Sequence, residues 1–217
     1  MAYFQYLPKL RYPSLSKKSD DYEYQTVTNL FRRGKVRDDV FNESILFNKY
    51  KIEGDDRPDN VAYKVYNDSD LDWIVLLSNN IINIRDEWPM TQLSFENYMQ
   101  EKYPTTSERY ALKHYETSEI RDNDNKLIRP SGIIVSPDSY DDYSFEYFSN
   151  GSVKIETNTS LNPVTYDEYE QRLNEDKRTI YVIKPKFVAT VIKDLEKIMK
   201  YEESSQFINK NLKKTSI

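Results

Sequence analysis

The stretch YKIEGDDRPDNVAYKVYNDSDLDWIVLLSNN, residues 50–80, decides the fold class. Tyr50-Lys51-Ile52 alternates as a short strand does, and Gly54-Asp55 turns the chain after it. Pro58 falls where a helix would start, and there its missing N–H costs nothing. Val61, Ala62, Val65 and Tyr66 then make one apolar stripe at helical spacing before Asn67-Asp68-Ser69-Asp70 breaks it. Asp70 is placed to cap a second helix, Leu71 to Ser78, in which Leu71, Trp73, Ile74, Val75, Leu76 and Leu77 are apolar nearly all round. A helix with almost no polar side must be buried, in its own domain or in an interface. Asn79-Asn80 supplies the stop.

Upstream, residues 1–48 keep neither a helical nor a strand period and carry Tyr3, Phe4, Tyr6, Tyr12, Tyr22, Tyr24 and Phe31 among charges. They read as an extended N-terminal arm, lying either on a partner or over its own domain. Arg32-Arg33-Gly34-Lys35-Val36-Arg37 is a small basic cluster, read as a solvated strip or a site for an acidic partner. Downstream, Thr91 caps a third helix with Phe95, Tyr98 and Met99 at helical spacing, ended by Tyr103-Pro104. Residues 49–104 therefore form one strand-helix-helix unit with its following helix.

Residues 105–164 turn to β. Asn123-Asp124-Asn125 divides one hairpin and Asn150-Gly151 another, the latter predicted with Phe145 and Tyr147 facing Val153 and Ile155. Eight acids stand against three bases between Glu116 and Glu146, so the excess acidity is local. Residues 165–203 read as helix, strand, helix completing the core. Thr165 and Glu168 make a capping box for a helix carrying Tyr166, Tyr169 and Leu173, and Thr179 to Lys184 is a strand. Pro185 opens an amphipathic C-terminal helix with Phe187, Val188, Val191, Ile192, Leu195, Ile198 and Met199 on one face. Residues 204–217 read as a loose tail. The class is α+β.

Composition removes most chemistry. With no cysteine there is no disulfide scaffold, thiolate metal site or cysteine nucleophile. The single histidine, His114, falls in a predicted strand and is too little for a His-based metal site or a catalytic triad. The four glycines are isolated, so no phosphate loop exists. Asp68-Ser69-Asp70-Leu71-Asp72 opens like a calcium loop but puts Trp73 where the glycine belongs and Asn79 where the glutamate belongs. Carboxylate pairs are too abundant for any one to specify hydrolysis. No catalytic residue, cofactor or metal is assigned. A net charge of −5 disfavours nucleic acid and anionic membranes, and no apolar run approaches a membrane span. The N-terminus has no leader pattern, so the chain reads as unsecreted. Leu, Ile, Val and Phe make up about a quarter of the residues, enough for a thin core, while 19 tyrosines suit surfaces half buried against something else.

Tyr50-Lys51-Ile52, Gly54-Asp55, Val61-Ala62, Tyr66, Leu71, Leu77 and Asn79 or Asn80 together resemble a LysM module. With Thr28-Asn29-Leu30-Phe31-Arg32-Arg33, Asp56-Arg57-Pro58-Asp59-Asn60, Glu87-Trp88-Pro89, Tyr166-Asp167-Glu168-Tyr169-Glu170 and the strand from Arg178 to Pro185, the chain resembles the baseplate wedge subunit of T-even-like contractile-tailed phages that carries a LysM-like domain. The resemblance implies a non-enzymatic virion part in the tail baseplate, assembled in the bacterial host cytoplasm. It implies contacts with other wedge subunits and the central hub, in several copies of a six-fold assembly that the protein helps to clamp. The alternative is a LysM-type peptidoglycan binder, although Asp56-Arg57-Pro58 replaces the usual Thr-Leu after Gly-Asp. Residue types that carry interface energy nominate Arg32, Arg33, Arg57, Trp88 and Tyr98 as partner contacts, with Trp88 and Tyr98 equally able to close the domain's own core.

Overall fold

A computed structural model of the chain describes residues 3–13, 24–35, 45–149 and 151–215. They divide into two compact units, residues 1–88 with 178–217 and residues 89–177. In chain order the first unit holds β1 (Lys9–Pro13), β2 (Tyr24–Thr28), β3 (Phe47–Lys51), α1 (Pro58–Tyr66), α2 (Asp72–Ser78) and α3 (Ile84–Glu87). The second holds α4 (Gln92–Lys102), α5 (Thr106–Arg109), β4 (Leu112–Thr117), β5 (Ile120–Arg121), β6 (Leu127–Arg129), β7 (Ile134–Val135), β8 (Ser144–Ser149), β9 (Ser152–Thr157), β10 (Leu161–Thr165) and α6 (Tyr166–Asp176). The chain then returns to the first unit with β11 (Thr179–Ile183), α7 (Val188–Ile198), β12 (Phe207–Asn209) and β13 (Leu212–Lys214). The described residues are mixed α+β, with small and mostly antiparallel sheets.

The first unit is built on an interrupted βααβ arrangement. β3 pairs antiparallel with β11 across the full strand, Lys51 opposite Thr179 and Phe47 opposite Ile183. Between α2 and β11 the chain makes the whole second unit. Gly54, at φ +54, turns the chain after β3 in a conformation that favours glycine. Pro58 opens α1, as its fixed φ and absent N–H allow. A short 3-10 turn, Ser69–Leu71, precedes α2, and its cap is the Asp68 carboxylate, accepting from Asp70 N at 2.9 Å, rather than Asp70. α2 is apolar nearly all round because it lies between two clusters. Trp73, Ile74 and Leu77 join Leu7, Phe47, Ile183, Leu195 and Met199 on one side. Val75 joins Ile52, Val61, Ala62, Trp88, Ile180 and Val182 on the other.

The C-terminus of α2 is tied to β11 by side chains. Lys184 N and Ile52 N mark the ladder between β11 and β3, bonding Leu46 O and Arg178 O at 3.0 and 2.8 Å. Tyr181 turns its own N–H and C=O to the opposite edge. There Asn79 Oδ1 accepts from Tyr181 N at 2.7 Å while Asn79 Nδ2 donates to Tyr181 O at 2.8 Å. Ser78 Oγ donates to the same carbonyl at 2.8 Å. A carboxamide thus takes the place a neighbouring strand would have, satisfying both backbone groups.

The tail departs from expectation, and the described part of the arm takes the second of its two expected courses. Tyr3 and Tyr6 set their rings 5.6 Å from that of Trp73, Leu7 is buried in the same cluster, and the Tyr3 hydroxyl accepts from Gly34 N at 3.1 Å. The described part of the arm is therefore packed on its own unit. Gly34 suits that packing, since a Cβ there would overlap Leu195 Cδ1 and push that buried side chain aside. The tail is not loose: β12 and β13 pair antiparallel, β13 runs parallel beside β1, and β2 completes a sheet ordered β12-β13-β1-β2. These strands are three to five residues long and mostly exposed. β1 and β13 pair residues 203 apart in the chain, so no local alternation announces them. Tyr22 of the arm and Val36 and Arg37 of the basic cluster lie outside the described residues.

Replacing Asn79 with Ala leaves the Tyr181 N–H without its acceptor and its carbonyl with Ser78 Oγ alone, a loss of roughly 1–3 kcal/mol. Both tryptophans belong to this unit, so a denaturant titration followed by their fluorescence should show a lower midpoint with an unchanged slope. An unmoved midpoint would show that the carboxamide contributes nothing to closure.

Candidate partner-binding surfaces

Of the five nominated residues four belong to the first unit and Tyr98 to the second, and they differ in exposure. Arg32 turns inward: its Nη2 donates to Ile198 O at 2.6 Å and Lys200 O at 3.2 Å, and its guanidinium lies 5.3 Å from the centre of the Tyr201 ring. It satisfies carbonyls at the C-terminus of α7, where a cation also meets the negative end of the helix. Trp88 is 6 % exposed and belongs to the core around Val61 and Val182, with Nε1 donating to Asp56 O at 3.0 Å. The proline-marked loop suggested a surface ring; the side chain folds back because the first unit needs a large group beneath α1 and β11. Tyr98 is half buried in the second unit, and its hydroxyl donates to Glu170 Oε2 at 3.1 Å.

Arg33 and Arg57 remain at the surface. Arg57 precedes α1, is 78 % exposed and pairs with Asp59 at 3.3 Å. Arg33 is exposed at the rim of a shallow groove of about 230 Å³ lined by Tyr3, Trp73, Leu76, Leu77, Ile81 and Ile82. Exposed apolar groups stand on the same unit: Phe31 is 97 % exposed, with Leu30 and Ile82 also open to solvent.

The second unit is organised by charge. Its buried side chains include His114, Thr117, Arg129, Ser149, Asp167 and Glu170 beside Phe95, Met99, Leu161 and Val164. Thr165 caps α6 by accepting from Glu168 N at 3.2 Å, while the Glu168 carboxylate pairs with Arg172 instead of closing the box. The full capping box of this unit is Thr105 with Glu108. α6 presents its carboxylates inward and leaves Leu173 exposed, the reverse of its apolar stripe, because cations from other elements meet them. Arg109 bridges Asp167 and Glu96, and Arg172 bridges Glu116 and Glu168. Glu116 also meets His114 Nε2 at 3.1 Å, and the His114 ring stands edge-on to Tyr169. Lys102 Nζ lies 2.9 Å from Glu170 Oε1, which the Tyr103 hydroxyl also reaches at 3.2 Å. Burial alone would push the Glu170 carboxyl up. The Lys102 ammonium and the Tyr98 and Tyr103 hydroxyls together outweigh it and hold Glu170 below its ordinary value of 4.5. The same balance acts on Glu116, where His114 and Arg172 outweigh burial.

The sequence signalled neither this network nor the pair of hydrogen bonds between Asn79 and Tyr181, since both join residues far apart in the chain. The family model of base plate wedge protein 53 matches residues 3–198. The chain belongs to the base plate wedge protein 53 family. No curated protein matches it. As a member of that family it is a structural protein of a phage tail baseplate, located in the virion and associated with other baseplate components. Among the described residues no helix is long and apolar enough to cross a membrane.

The folded carboxyl of Glu170 titrates below its unfolded value. Its stabilising effect is therefore complete above about pH 4.5 and is lost as pH falls through the folded value. Glu170→Gln should lower the thermal midpoint at pH 7 and flatten its decline between roughly pH 5 and pH 3. An acid limb with the wild-type slope would show that this carboxylate does not carry the linkage.

Proposed function

We propose that this baseplate wedge protein clamps neighbouring wedges together as the six-fold baseplate closes around its central hub in the host cytoplasm. The observation that carries the reading is that one chain forms two compact units, each with exposed apolar side chains. Leu30, Phe31 and Ile82 stand on the first unit, and Phe148, Val153 and Ile155 on the second. A part with two sticky units suits holding two neighbours, since such surfaces gain stability only when covered. Arg33 and Arg57 are the nominated cations exposed at the first unit and able to meet an acidic partner, Arg57 in exchange for its exposed pair with Asp59.

The βααβ order of β3, α1, α2 and β11 supports a LysM-like origin for the first unit. In a glycan-binding LysM module the loops after the first strand and after the second helix line the sugar groove. Here the segment following α2 reaches the loop following β3, through Trp88 Nε1 on Asp56 O, and Lys64 pairs with Asp56 in the same loop. Groups that would meet a sugar are engaged within the protein, which favours the assembly role over peptidoglycan binding.

The test is reconstitution from the other wedge and hub proteins of the same phage, with and without the full chain, read by electron microscopy and sedimentation. The proposal expects separate wedges without the chain and closed rings with it. Rings that close equally well in its absence, or a chain that sediments with peptidoglycan and ignores wedges, would overturn it.

A further inference from the structure

The β8–β9 hairpin is apolar on both faces, and one of them is uncovered. Ser149 pairs with Ser152, which fixes the register through Phe148 opposite Val153, Tyr147 opposite Lys154, Glu146 opposite Ile155 and Phe145 opposite Glu156. Phe145 and Tyr147 therefore do not face Val153 and Ile155, as the alternation had predicted. A two-residue connection makes opposed residues differ in parity, so the two apolar pairs fall on opposite faces. Asn150 of that connection lies outside the described residues, and Gly151 at φ +75 closes it.

The Phe145 face is anchored. The buried Arg129 guanidinium lies 5.0 Å from the centre of the Phe145 ring and 5.9 Å from that of Tyr143, and its Nη1 donates to the Tyr143 hydroxyl at 2.5 Å. Phe145 and Tyr147 stack at 5.9 Å. On the opposite face Phe148, Val153 and Ile155 are 70, 64 and 58 % exposed, with Glu146 beside them. β8 and β9 pair only with each other among the described residues. Three large apolar groups in register on a two-stranded sheet have no solvation reason to be there. The hairpin and the turn before it are acidic on balance: Asp138, Asp141, Asp142 and Glu146 are exposed with no ion pair among the described residues, Glu146 stands on this face opposite Ile155, and the hairpin's exposed cation, Lys154, opposes Tyr147 on the other face.

We infer that this face docks a basic amphipathic segment of a neighbouring baseplate protein. Its apolar side covers Phe148, Val153 and Ile155, and its lysines or arginines meet Glu146 and the Asp138–Asp142 acids. The apolar contacts hold the complex, and Glu146 with the acids preceding β8 selects and steers the partner. The inference rests on the assembly role proposed above and assigns part of that role to the second unit.

The test uses the full chain with the wedge proteins of the same phage and compares three forms. These are the wild type, the triple variant Phe148→Thr, Val153→Thr and Ile155→Thr, which keeps strand propensity, and Glu146→Lys. Both variants should keep the wild-type thermal midpoint and circular dichroism, yet bind wedges at least tenfold more weakly. Wild-type binding should fall as salt rises, and less steeply for Glu146→Lys. Wild-type affinity in both variants would overturn the inference. So would salt-independent binding, or self-association of the chain alone that the triple variant abolishes. A wild-type chain that binds no wedge protein would instead remove the assembly role on which the inference stands.

Discussion

The closure of β11 against β3 on one edge and Asn79 on the other is the constraint on which the first unit depends. The chain leaves this unit after Trp88 and returns at Arg178, so β11 is delivered only after the whole second unit has been made. Once seated, it brings Ile180 and Val182 to one apolar cluster and Ile183 to the other. Without it, α2 would expose whichever side faces the gap. Helices this short draw their stability from packing rather than propensity, so strand and helices stand or fall together.

The two units are held by different physics. The first buries Trp73, Ile74, Val75 and Val61 in contiguous apolar clusters, where stability follows area removed from water. The second buries carboxylates and an arginine, so each buried charge depends on its partner being present. Such a network rewards one arrangement of α4, α6 and β4, and it ties the second unit to pH through Glu116 and Glu170. It also leaves part of the unit's apolar side chains, those of the β8–β9 hairpin, available for another surface.

What could be read from the sequence was what is local. Pro58, the Val61 to Tyr66 stripe, the Thr91 cap on α4 and the Asn123 to Asn125 turn each carry their meaning within a few residues, and each element stands where those signals put it. Trp88 was legible as a large ring in a loop, but its direction is set by the space beneath α1 and β11. The strands of the arm and tail were hidden because their partners lie almost the whole chain away. α6 misled through its tyrosines and Leu173, since ion pairs from α4, α5 and β4 decide which side it buries. Of the partner residues, Arg33 and Arg57 kept an outward place, while Arg32 became a helix cap.

The first unit holds together only while β11 is seated between β3 and Asn79. Hydrogen exchange of the full native chain, resolved residue by residue, tests that closure most directly. Tyr181 N–H, whose acceptor is the Asn79 side chain, should exchange as slowly as the interior amides of α1 and α2, opening only with the whole unit. Exchange of Tyr181 at the rate of an exposed loop, with α1 and α2 still protected, would contradict the account.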